Sequence, residues 1–171
     1  ALELAKNGEG LAVLLAPLGF GGLKLEAVVV SSYPAVGEVF ELTLDGDANL
    51  PLEMPRRDGY SGEWKHNGPI VTGKQTRSFK LVSVGYCRNL DEVREKLATH
   101  GAIPEGQWRE AFKVAYSESD GKGPIGFADS SWVFPFGSAR LPCVPTGGSS
   151  DFYWAGYAFL GDWRWIVAVS E

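Results

Sequence analysis

Residues 152–170 hold two runs of alternating side chains on either side of a Gly161-Asp162 step, and no other stretch constrains the fold as strongly. Phe152 to Leu160 and Trp163 to Ser170 both carry the two-residue period of a strand. A Gly-Asp step between such runs is a signal for a two-residue hairpin turn. Read as a C-terminal hairpin, Leu160 pairs with Trp163, Ala158 with Trp165, Gly156 with Val167 and Trp154 with Val169. That face is almost wholly apolar and belongs to a core. The opposite face sets Phe159 beside Arg164, Tyr157 beside Ile166 and Tyr153 beside Ser170. It is aromatic and amphipathic, so it is either covered by a helix or used for binding.

Upstream, the same period recurs in shorter pieces. Leu11 to Ala16 and Leu23 to Ser31 are apolar runs separated by Gly and Pro, as in buried strands. Glu38 to Leu44 and Arg77 to Tyr86 alternate as half-buried strands do. Ile125 to Val133 and Ala139 to Val144 read as short strands interrupted by Phe134-Pro135-Phe136-Gly137. Between Asp45 and Gly68 the pattern is lost among turn signals, which predicts a long loop (45–68) that Trp64 anchors to the core.

Helical spacing is confined to residues 89–116. Asn89 is placed to cap a helix with Asp91 and Glu92 in its first turn, an apolar face at Leu90, Val93 and Leu97, and Gly101 as its stop. Pro104 suits the first position of a second helix, whose stripe is Trp108, Ala111, Phe112 and Ala115. Strands, two helices, then strands again is the order of an α+β fold. The chain is expected to form one domain, 1–171. Its mostly antiparallel, curved sheet would be closed by the C-terminal hairpin and packed on one face by both helices. A domain of this length buries roughly 70% of its unfolded surface and needs no metal or disulfide staple. The 22 glycines, six Trp, six Tyr and nine Phe agree with short strands and tight turns.

Charge and cysteine usage narrow the partners. A net charge of −5 with only short basic stretches, Arg56-Arg57 and Lys74 to Lys80, argues against nucleic acid and against an anionic membrane. The apolar stretch from Leu11 to Val30 is broken by Pro17, Gly19, Gly21, Gly22, Lys24 and Glu26, so it does not span a bilayer. Cys87 and Cys143 read as reduced, buried thiols rather than a disulfide. A cytoplasmic location is favoured on that ground, although the sequence leaves the compartment open.

Several motifs approach a known chemistry and stop short. Gly68 to Lys74 has the glycine and lysine spacing of a phosphate-binding loop, but Gln75 stands where a magnesium-ligating hydroxyl belongs and a strand follows instead of a helix. Asp45, Asp47 and Asn49 match the first ligands of a calcium loop, while Leu50 and Arg56 replace its glycine and its bidentate glutamate. Cys87 precedes a helix N-terminus, but His100 lies at the far end of that helix, about 15–20 Å away at 1.5 Å per residue. No Cys-x-x-Cys or His-x-x-x-His spacing exists for zinc, and no metal or other cofactor is expected.

The reading that remains is a non-enzymatic module binding a small ligand, a glycan or a protein through an aromatic sheet face. Tyr153, Tyr157, Phe159 and Arg164 would form that face, with Trp64 and His66 from the 45–68 rim and Asp129 nearby. A second reading is an enzyme with Asp129, Glu105 or His66 as acid or base. A third is self-association, with the aromatic face as a homodimer interface.

Overall fold

The computed structural model describes residues 32–170. The strands expected at Leu11 to Ala16 and Leu23 to Ser31 lie outside that range. Eight strands form one sheet: β1 (Phe40–Asp45), β2 (Lys65–His66), β3 (Lys74–Val82), β4 (Ile125–Gly126), β5 (Trp132–Val133), β6 (Ala139–Val144), β7 (Asp151–Trp154) and β8 (Arg164–Ala168). Three helices accompany them: α1 (Glu53–Arg57), α2 (Leu90–Leu97) and α3 (Trp108–Ala115). This is the α+β class with a mostly antiparallel sheet. The strand order is β1-β3-β8-β4-β6-β5-β2, and β7 pairs with β6. Among the named strands described, only β4 and β8 run parallel.

Local chemistry explains most of these elements. In β1, Phe40, Leu42 and Leu44 are buried and alternate with exposed Glu41 and Thr43, as a half-buried strand requires. Asn89 caps α2 by accepting from the Glu92 amide at 3.0 Å. Leu90, Val93 and Leu97 then fall on the buried side of that helix. The second long helix starts later than Pro104. Glu105 and Gly106 first form a tight turn, with the Trp108 amide donating to the Glu105 carbonyl at 3.1 Å. The Gln107 side chain beside it is tied to Val71 and Asn49 from elsewhere in the fold. Gly106 weakens helix propensity at this point, and these tertiary hydrogen bonds hold the turn.

The segment 45–68 is more ordered than an open loop. It contains a 3₁₀ turn at Gly46–Ala48, then α1 and β2, each too short to leave a periodic signature. Met54 and Trp64 from this segment join Trp132 and Phe152 in one buried cluster.

The C-terminal hairpin is not formed. A turn does occur at Gly161-Asp162, where the Trp163 amide donates to the Leu160 carbonyl at 3.2 Å. The strands around it take other partners: β7 pairs with β6, and β8 lies between β3 and β4. Beyond the Leu160–Trp163 contact that closes this turn, the pairs Ala158–Trp165, Gly156–Val167 and Trp154–Val169 are absent, and so is the neighbouring of Phe159 with Arg164. The cause is burial on both faces of β8. Ile166 and Ala168 pack with Trp108 and Phe112 of α3, whereas Trp165 and Val167 pack with Leu90, Val93 and Leu97 of α2. The two helices thus cover opposite faces of the sheet, not one. A strand sandwiched in this way sits in the middle of a sheet, with neighbours on both edges.

Candidate functional site

The aromatic surface of this molecule is organised around β6 and the side chain of Arg140. Strand β5 pairs with one edge of β6 and β7 with the other, placing Trp132 and Trp154 opposite Arg140. The turn between β5 and β6 carries Phe134-Pro135-Phe136-Gly137. It is closed by the Gly137 amide donating to the Phe134 carbonyl at 2.7 Å, and Gly137 has a φ of 98°, which a side chain would disfavour. Phe134 and Trp154 therefore reach the Arg140 guanidinium from opposite sides, with ring centroids 4.2 and 4.8 Å from its carbon.

Aromatic contacts extend this sandwich into a row. Trp64 meets Phe134 edge-on at 5.1 Å, and Phe134 meets Phe136 at 5.5 Å. At the other end Trp154 meets Tyr157 at 4.1 Å, and Tyr157 meets Tyr153 at 6.2 Å around the edge of β7. The interior of the row is buried while its projecting members are open: Phe136 is 90% exposed and Tyr157 51%. Across from this surface Tyr86 (54%) and Leu160 (63%) are also exposed, set opposite one another by the Cys87–Phe159 bridge.

Electrostatics distinguish Arg140 from the other buried arginines. Arg109 holds Asp58 through two bonds of 2.7 and 3.0 Å, and Arg164 holds Asp120 through two of 2.7 and 2.9 Å. Arg140 has no ion pair among the described residues; its Nε is buried without a hydrogen-bond partner, as is that of Arg164. Burial pulls its pKa below the ordinary value, opposed mainly by Tyr60 and Asp151. Tyr60 in turn donates to the Asp151 carboxylate. Burial first, and that carboxylate second, push the Tyr60 hydroxyl up to about 12.

The expected site residues fall into four places. Trp64, Tyr157 and Tyr153 belong to the row. Phe159 is fully buried against Tyr153, Trp163 and Trp165. Arg164 faces Asp120 and the Gly123 carbonyl, with Tyr33 under its guanidinium. His66 and Asp129 lie together on the far side of Trp132. The His66 ring is 4.5 Å from Trp132, and both its nitrogens are buried without partners among the described residues. Burial lowers its pKa, with Asp129 opposing.

Asp129 borders a polar cleft of about 290 Å³ shared with Glu105, Ser131, Asn67 and Arg94. Its carboxylate is fully engaged, accepting from the Gly106 amide at 2.8 Å, from the Ser131 amide at 3.1 Å and from the Ser131 hydroxyl. Glu105 accepts from the Trp108 indole at 3.2 Å and from Arg77 at 3.4 Å. Both carboxylates thus organise backbone and neighbours.

Four members of the row escaped the sequence reading: Phe134, Phe136, Arg140 and Trp154. One signal was available, a lone cation inside the otherwise apolar run Ala139 to Val144. Among the described residues no cluster of three or more His, Cys, Asp or Glu is placed to hold a metal. No described helix is long and apolar enough to cross a membrane. Cys87 and Cys143 are free, buried thiols. Burial pushes both up, Cys143 to about 12, opposite to what a helix N-terminus alone would do at Cys87. Compared with protein-family models, curated proteins and solved structures, the chain matches none.

Proposed function

We propose that this chain is a non-enzymatic interaction module and that the row from Trp64 to Tyr157 docks a segment of a protein partner. The observation that carries this reading is the composition and form of the surface. Tyr, Trp and Arg, the residue types that dominate protein hot spots, converge there, with Phe136 and Tyr157 standing out of a rigid stacked base. The rings packed beneath Phe136 and Tyr157 have little rotamer freedom left to lose on binding, which favours affinity. An open row with projecting rings suits an extended segment better than a small molecule, which prefers an enclosed cavity.

The enzyme reading rests on the cleft that unites Asp129 and Glu105. It is weaker because both carboxylates are already engaged by structural donors.

The test is selection of displayed peptides on the folded wild-type protein, followed by affinity measurement on Phe136→Ser and Tyr157→Ala. Both side chains are exposed, so both variants should keep the wild-type melting temperature. Selected peptides should lose more than about tenfold in affinity on each. Peptides that bind both variants as tightly as wild type would overturn the assignment. Mass in solution adds a separate outcome. A wild-type dimer that the same substitutions dissociate would replace the peptide partner with a second copy of this chain.

A further inference from the structure

Burying a guanidinium removes it from water, and a fold normally compensates with a carboxylate or with carbonyl oxygens. Two of the three buried arginines follow that rule. Arg109 is fully buried and has Asp58, Glu110 and the Asp151 carbonyl. Arg164 has Asp120 and the Gly123 carbonyl. Arg140, at 8% exposure, lies against the Phe134 and Trp154 rings, pairs with no carboxylate among the described residues, and has the Tyr60 hydroxyl as its hydrogen-bonding neighbour. The nearest carboxylate, Asp151, is taken by the Tyr60 hydroxyl and the Phe152 amide.

The Phe134 and Trp154 rings lie 4.2 and 4.8 Å from the guanidinium carbon, and its Nε is sealed off. The two Nη groups, unlike Nε, are not buried without a partner, and they carry the fork of donors that matches a carboxylate. Stacking also makes the cation rigid, so little side-chain freedom is lost when an anion arrives.

At the Trp64 end of the row the surroundings carry the same sign, while the charged neighbour of Arg140 itself is Asp151. The hollow of about 300 Å³ beside Trp64, at one end of the row, is bordered by Arg56 and Lys65 against one carboxylate, Glu63. On a chain of net charge −5 this is a local cationic margin at one end of the aromatic surface.

Building on the docking surface proposed above, we propose that Arg140 receives a carboxylate of the partner, so that the docked segment is acidic, with an Asp or Glu next to an aromatic or apolar residue. The aromatic residue lies on the row beside Tyr157 or Phe136, and the carboxylate accepts two parallel hydrogen bonds from the Nη edge.

Two probes that differ by one group test this: acetyl-Trp-Asp-amide and acetyl-Trp-Asn-amide. Each is titrated at low salt while the arginine Nε–H and tryptophan indole signals of the protein are followed by NMR. On wild type the Asp peptide should bind about tenfold tighter than the Asn peptide and should move the Arg140 signal. On Arg140→Gln that preference should shrink to within about twofold. Equal affinity of the two peptides on wild type would overturn the carboxylate assignment. The docking reading would survive that result, provided Phe136→Ser still weakens both peptides. If neither peptide shifts these signals up to its solubility limit, the proposal falls outright. The comparison on wild type stands even if Arg140→Gln fails to fold.

Discussion

Replacing Arg109 by Leu should be among the most damaging substitutions available in this fold. The side chain is completely buried on α3, and it holds Asp58, just beyond α1, through two hydrogen bonds of 2.7 and 3.0 Å. It also donates to the Asp151 carbonyl at 2.8 Å and lies 5.0 Å over the Phe152 ring. One guanidinium thus joins α1, α3 and β7. Removing it leaves Asp58, whose side chain is 2% exposed, without its counter-charge. A buried pair broken from one side typically costs about 3–5 kcal/mol. In a chain of this length each kcal/mol lowers the melting temperature by roughly 2–4 °C, so a fall of about 10 °C is expected.

The deficit should depend on pH. Burial already pushes the Asp58 carboxyl upward, and Arg109 is the main influence opposing it. Without Arg109 the folded carboxyl titrates higher still, above its unfolded value. Proton uptake then favours the folded state, and the deficit should shrink as pH is lowered. The double variant Arg109→Leu with Asp58→Leu should recover much of the loss, since no orphaned charge remains. Thermal unfolding followed by circular dichroism at neutral and mildly acidic pH measures all three proteins. A loss below about 1 kcal/mol for Arg109→Leu, or a double variant no better than the single, would refute the reasoning.

Two further outcomes are open to direct measurement. Burial holds the His66 pKa below the ordinary 6.5, so the unfolded chain binds more protons in mild acid. The stability it contributes is complete above 6.5 and is lost as pH falls through its folded value. Urea midpoints measured downward from neutral pH should therefore fall less steeply in His66→Phe, and an unchanged slope would contradict the assignment. At Gly126 an added Cβ would lie 2.5 and 2.7 Å from ring atoms of Trp165 and 3.0 Å from Trp163. Gly126→Ala should cost about 1–3 kcal/mol in denaturant unfolding, and a neutral effect would mean that the two indoles shift freely.

Legibility in the sequence followed the range of the interaction. The β1 alternation, the Asn89 cap and the buried stripe of α3 all lie within one element, where neighbours a few residues apart decide the outcome. Partner choice is a different matter. The run from Trp163 to Ser170 alternates well enough to suggest a hairpin, yet every residue of β8 is buried, so alternation could not identify its neighbours. The site shows the same division. Trp64 and Tyr157 were recognisable as aromatics in favourable surroundings. Phe159 and Arg164 seemed adjacent only under a register that the β8 pairings replace.

The sequence by itself determined the class of fold, the approximate extent of β1, β6 and β8, the α2 helix with its cap and the aromatic character of the C-terminal region. These follow from side-chain period, capping chemistry and turn residues, which act over a few positions. Only the tertiary structure decided that α2 and α3 lie on opposite faces of the sheet, and that β8 is central. It also decided that Arg140 stands between Phe134 and Trp154 without a carboxylate. Each depends on groups far apart in the chain competing for the same partners. Asp58 and Asp120 went to Arg109 and Arg164, and Asp151 went to Tyr60.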